Sequence, residues 1–166
     1  MARNEKYPVT IYVDGGAAGT KHVGVAAVAR TDQGHFIGWM SKQLPQMTNN
    51  EAEYQAAMLG LGLARYLRVN RVEIRADSEV VVRQMTGISR VNSARLKPLH
   101  QRACQMVAHF DLVHFQHIKR EHNMLADALA SEAILGKTVG MPAVSSWQTG
   151  SSSSLLWSEL RQVLTR

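Results

Sequence analysis

Residues 9–16 read Val-Thr-Ile-Tyr-Val-Asp-Gly-Gly: an apolar, β-branched run that meets one acid and then two glycines. Such a run has the signature of a central strand. The acid constrains the chain more than the strand does. It puts a carboxylate at the C-terminal end of a strand, where α/β sheets gather their ligands. Asp14 is therefore read as the first ligand of a divalent-metal site, and the rest of the chain must supply its partners.

Residues 23–29 read as a second buried strand. Thr31-Asp32-Gln33-Gly34 is chain-reversing chemistry, and residues 35–41 alternate enough to be a third strand, completing an antiparallel meander. Thr48 with Glu51 three residues later forms a capping-box pattern, opening a strong helix over 51–67 that is rich in Ala, Leu and Met. Residues 71–76 make a fourth strand ending at Asp77, and 78–85 a short helix stopped by Gly87. An irregular basic connection over 88–94 leads to a helix over 95–110, where Pro98 is tolerable in the first turn. A fifth strand over 112–118, a charged loop over 119–122 and a helix over 123–135 complete the order β-β-β-α-β-α-α-β-α. The strand–helix–strand step implies parallel pairing. The expected fold class is α/β, a five-stranded mixed sheet flanked by helices.

The tail differs. Residues 137–150 carry Gly, Pro and Ser, 151–154 are four serines, and 154–164 read as one amphipathic helix with Leu156, Leu160 and Val163 on one side. The expected division is a folded domain over 1–136 and a Ser/Gly-rich linker with a C-terminal amphipathic helix over 137–166. The net charge of +6 favours a polyanionic partner such as nucleic acid. The single cysteine, Cys104, excludes an intrachain disulfide and is assigned to core packing. No apolar run is long enough to span a membrane, and the first seven residues are too polar and short for a signal peptide, so cytoplasm is the default.

The acids then sort themselves. Asp14 ends the first strand, Glu53 lies early in the first long helix, Asp77 ends the fourth strand and Asp127 lies in the first turns of the last helix. If strands one and four are parallel neighbours, Asp14 and Asp77 meet at one end of the sheet. Glu51 competes with Glu53, but two positions on a helix differ by roughly 200°, so only one can face the site. Glu51 suits the capping box, which leaves Glu53. Four converging carboxylates repel one another unless cations lie between them. Hard oxygen ligands select Mg²⁺ or Mn²⁺, and two such ions about 4 Å apart suit phosphodiester hydrolysis, one activating water and one stabilising the leaving oxygen.

Tyr12-Val13-Asp14-Gly15-Gly16, Thr48-Asn49-Asn50-Glu51-Ala52-Glu53-Tyr54, Ala76-Asp77-Ser78 and Asn123-Met124-Leu125-Ala126-Asp127-Ala128-Leu129-Ala130 resemble, in order, the four motif blocks of type 1 ribonuclease H. The resemblance covers about residues 7–135. It implies a two-metal endonuclease that cleaves the RNA strand of RNA/DNA hybrids, leaving 3′-hydroxyl and 5′-phosphate ends. It implies Asp14, Glu53, Asp77 and Asp127 as the catalytic, metal-binding tetrad, with His122 as a further catalytic candidate and Arg120 and Glu121 as its rivals. Gly15, Gly16, Thr48, Asn49 and Asn50 would contact substrate. The two asparagines would lie in the minor groove, where 2′-hydroxyls distinguish RNA from DNA. The implied partner is a hybrid duplex, with double-stranded RNA a further candidate, no membrane, and a monomer as the default state.

The chain also departs from the family pattern. Gly19-Thr20-Lys21-His22 stands where Gly-Asn-Pro-Gly is common, and Gln46 where some members have a phosphate-gripping arginine. Residues 87–98 run directly into the next helix without the long basic protrusion of many members, as in the handle-less branch. Two other classes compete with the hybrid nuclease: a duplex binder without catalysis, which the intact tetrad argues against, and a different nuclease on this fold, which the Thr-Asn-Asn block argues against.

Overall fold

The computed structural model describes residues 7–16, 19 and 21–136. Its strands are β1 (Val9–Gly16), β2 (His22–Thr31), β3 (Phe36–Pro45), β4 (Arg71–Ala76) and β5 (Leu112–His117). Its helices are α1 (Asn49–Tyr66), α2 (Glu79–Met85), α3 (Leu96–Val107) and α4 (Met124–Ile134), with one 3₁₀ turn at Arg120–His122 before α4. The sheet order is β3-β2-β1-β4-β5, so β1 is central as expected. β1 pairs antiparallel with β2 and parallel with β4, and β4 pairs parallel with β5.

The element order agrees with the sequence reading, and the differences lie at the ends. β3 runs on to Pro45 because β2 begins at His22, and the His22↔Pro45 register holds the longer strand in place. α3 stops at Val107, since Ala108 caps it and the Asp111 N–H turns to the Asn70 carbonyl. Cys104 is exposed, which corrects its assignment to the core: the buried residues of α3 are Leu96, Ala103 and Met106, and Cys104 lies about 100° around the helix from Ala103. Residues 86–95 join α2 to α3 without another helix.

α1 covers one face of the sheet and α4 the other. A Cβ at Gly60 of α1 would lie 2.6 Å from Val13 and 3.4 Å from Ile11, so these two β1 side chains face α1. Alternation then turns Tyr12 and Asp14 toward the α4 face. Gly24 of β2 permits α4 its close approach, since a Cβ there would fall 1.8 Å from the Ala130 carbonyl oxygen. Val9, Ile11, Val13, Val72, Ile74, Tyr54, Leu61 and Leu63 fill the core between the sheet and α1. No helix among the described residues is long and apolar enough to cross a membrane. The linker and amphipathic helix expected over 137–166 lie outside the described residues.

Candidate active site

The parallel β1–β4 ladder ends at the pair Val13↔Ala76. Asp14 and Asp77 are the next residues on each strand, so the register alone brings their backbones side by side. Ser78, not Asp77, caps α2, accepting from the Val81 N–H through its hydroxyl (3.4 Å). The Asp77 carboxylate is thereby left for the strand end.

Glu53 arrives from α1. Thr48 is the N-cap of that helix, and the capping box closes fully: the Thr48 backbone N–H donates to Glu51 Oε2 (2.8 Å), and the Glu51 N–H donates to the Thr48 hydroxyl oxygen (3.3 Å). Glu51 is committed to the cap, and Glu53 turns toward the sheet. Gly15 makes this possible. A Cβ at Gly15 would lie 2.3 Å from the Ala52 carbonyl oxygen and 2.8 Å from Glu53 N, so only glycine lets α1 come this near. The Gly15 N–H donates to the Glu53 carboxylate.

One carboxylate oxygen from each of Asp14, Glu53 and Asp77 lies within 4.8 Å of the others. Asp14 is 6% exposed. Burial, then the charges of Asp77 and Asp127, push its pKa up to about 7. Burial, then Asp14 and Asp77, push Glu53 up to about 9, against the Gly15 N–H and Arg120, which pull it down. Glu53 Oε2 is buried with no hydrogen-bond partner. Carboxylate oxygens this close, with Asp14 buried, Glu53 and Asp77 half-buried and one oxygen unpartnered, fit a divalent cation between them, because the Gly15 N–H and Arg120 offset only part of the burial and mutual repulsion.

The other expected residues are placed less uniformly. Asp127 lies outside the three-acid group, and its Oδ1 accepts from Arg120 Nη2 at 3.0 Å. His122 faces Glu121 at 3.9 Å and is exposed. Asn49 and Asn50 open α1 exposed, with the capping already done by Thr48. The Thr48 hydroxyl proton goes to Glu51 Oε2 (2.7 Å), so a phosphate would have to compete for it. Gly16 is half-buried, whereas Gly15 is buried against α1.

Two residues make contacts that the sequence did not show: Arg120, there only a rival of His122, and Asn123, there only the first residue of the fourth motif block. Arg120 holds Asp127 and lowers the pKa of both Asp14 and Glu53. Asn123 is buried beneath the site, its amide bonded to the Val13 carbonyl. The signal available for Arg120 was one of two adjacent cations, Lys119 and Arg120, seven residues before an acid, a spacing that marks one helix face only within a single helix, whereas Arg120 lies in the 3₁₀ turn before α4. Asn123 stood in sequence only as the first residue of the last helix and of the fourth motif block.

Residues 13–133 match the family described as reverse transcriptase-like. A curated relative, ribonuclease HI of Halobacterium salinarum, is 32% identical over 127 residues, which are 76% of this chain and 64% of that protein. The chain thus spans just under two thirds of that relative's length. The crystal structure of RNase H1 from the same archaeon superposes with a TM-score of 0.74 at 32% identity, covering 77% of this chain and 98% of that one. LC11-RNase H1 in complex with an RNA/DNA hybrid superposes with a TM-score of 0.72 at 32% identity, covering 77% and 97%.

Proposed function

The chain belongs to the reverse-transcriptase-like family, in its type 1 ribonuclease H branch, and on that premise we propose that it hydrolyses the RNA strand of RNA/DNA hybrids. The observation that carries this reading is the convergence of Asp14, Glu53 and Asp77, each with an oxygen within 4.8 Å of the others, at the end of the β1–β4 ladder. Those three acids, with Asp127 beside them, would hold two Mg²⁺ or Mn²⁺ ions. Bound there, the ions supply the charge that acidifies water and stabilises a departing oxygen.

The chain's own residues do the rest. Glu53, fixed by the Gly15 N–H, and Asp14, fixed by its strand, keep their carboxylates in place before substrate arrives. That preorganisation is what an electrostatically stabilised transition state requires. Asn49 and Asn50, exposed at the start of α1 one turn from Glu53, are suited to read 2′-hydroxyls from the minor groove while the scissile phosphate rests on the acids. Water attacks phosphorus in line, the P–O3′ bond breaks, and the proton lost by water is balanced by the one taken up at O3′. The products are a 3′-hydroxyl and a 5′-phosphate. A +6 chain without a basic protrusion grips the duplex mainly through phosphate contacts near the site, in the cytoplasm and as a monomer.

The test is a digest of end-labelled RNA/DNA hybrid, RNA duplex and DNA duplex with Mg²⁺ or Mn²⁺. Internal cuts in the RNA of the hybrid, absent with chelator and absent in the Asp77→Asn protein, are the expected result. Comparable cleavage by Asp77→Asn, or cleavage of the DNA duplex alone, would reject the assignment.

A further inference from the structure

The connection from β5 to α4 closes the ends of both acid-bearing strands. The Ile118 N–H donates to the Ala76 carbonyl at 2.9 Å, one residue before Asp77. Asn123 Nδ2 donates to the Val13 carbonyl at 2.8 Å, one residue before Asp14 and 110 positions away in sequence. The Asn123 backbone carbonyl in turn accepts from the Asp127 N–H at 3.0 Å. One residue is therefore bonded to the backbone beside Asp14 on one side and to that of Asp127 on the other.

The chemistry of Asn123 argues against a merely local role. Asparagine is favoured at the start of a helix because its side chain accepts from the N–H groups of the first turn. Asn123 occupies that place in α4 but makes no such bond. It is 1% exposed, and its Oδ1 is buried without a partner. A buried amide that forgoes its cap and leaves an acceptor unsatisfied is poorly explained by helix stability, since buried polar atoms are nearly always paired. It is well explained by the one long-range bond that it does make.

We propose that Asn123 is a positioning residue that sets the separation of Asp14 and Asp127 through the Val13 carbonyl, and so tunes cation binding by the acid cluster. The proposal rests on the metal-site reading above and goes beyond it. Asn123 touches neither cation nor substrate. Loss of its amide lets the start of α4 drift from β1, and Asp127 moves with it while Glu53 and Asp77 stay.

The test uses the full chain, with Asn123→Ala, Asn123→Ser (a smaller side chain that keeps a donor) and Val72→Ala as a destabilised control at the far end of β4. Mn²⁺ binding to the substrate-free protein is followed by the EPR signal of free ion, and hybrid cleavage by kcat and KM across Mg²⁺ concentrations. Asn123→Ala is expected to weaken Mn²⁺ binding and raise the Mg²⁺ half-saturation by about tenfold, with KM for hybrid within about twofold. Asn123→Ser should fall between Asn123→Ala and wild type. Val72→Ala should lose comparable thermal stability with Mn²⁺ affinity within about twofold of wild type. An Asn123→Ala protein whose Mn²⁺ affinity falls no further than that of Val72→Ala overturns the proposal. If Asn123→Ala does not fold, wild-type Mn²⁺ affinity in Asn123→Ser overturns it. A wild-type protein that binds Mn²⁺ without cutting hybrid defeats the assigned reaction and leaves the Asn123 comparison decisive.

Discussion

Arg120 Nη2 lies 3.0 Å from Asp127 Oδ1, while His122, two residues on, turns away to Glu121. The cation that serves the acid cluster in this structure is thus the arginine of the 3₁₀ turn. Replacing Arg120 by Ala is expected to lower kcat by about tenfold or more, whereas His122→Ala should stay within about threefold of wild type. Single-turnover cleavage of hybrid by the two variants checks this, and the reverse order would return the role to His122.

Removing either strand-end acid should separate activity from stability. Asp14→Asn is expected to reduce Mg²⁺-dependent cleavage by at least about 10³-fold. Its melting temperature in EDTA should equal or exceed that of wild type, because a buried, repelled carboxyl has become a neutral amide. Parallel cleavage and thermal-melting measurements would expose a fold defect as a drop in both.

The raised acids give the metal-free protein a definite pH dependence. Asp14 moves from 3.8 to about 7 and Glu53 from 4.5 to about 9 on folding. Between these limits the native state holds more protons than the unfolded chain, so stability must fall as pH rises from about 4 to about 9. Divalent cation binds the ionised form and should oppose the loss most strongly at the upper end. Melting curves at pH 5 and pH 8.5, in EDTA and in Mg²⁺, test both statements. A Glu53→Gln protein should lose less stability than wild type over this pH range in EDTA.

Gly15 is where a methyl group would do most harm. Alanine there meets the Ala52 carbonyl oxygen at 2.3 Å, so α1 must shift outward. We expect a loss of about 1–3 kcal/mol in unfolding free energy, with weakened cation binding because Glu53 is displaced. Gly16→Ala is the control, since a Cβ at Gly16 meets nothing within 4 Å. Equal effects at the two positions would contradict the packing argument.

Much of this was legible from the residues, and the reasons are physical. A buried strand ending on an acid is costly enough to mean something, so Asp14 stood out before any geometry. Glu53 could be separated from Glu51 because capping chemistry and helical angle are both local, and the capping box is present as expected. Parallel pairing of β1 with β4 stood in the sequence as a condition for Asp14 to meet Asp77, and the Val13↔Ala76 register meets it. What was not legible depends on approach from a distance. Arg120 reaches Asp127 only because a 3₁₀ turn redirects the chain before α4. Asn123 is only the first residue of a motif block until its bond to the Val13 carbonyl is seen. Cys104 was misplaced by one step around α3, which a mixed Ala, Cys and Met sequence does not resolve.

The strand-end closures by Ile118 and Asn123 have a consequence for the order in which the protein becomes competent during synthesis. Asp14, Glu53 and Asp77 leave the ribosome well before residue 118 does. Until the connection to α4 has emerged, the nascent chain carries three acids whose strands lack their final fastenings, and neither Arg120 nor Asp127 is present. On the proposed reading, competence to cut would arrive only with the stretch from Ile118 to Asp127 rather than build gradually, and a partly made chain would not act on hybrid within reach.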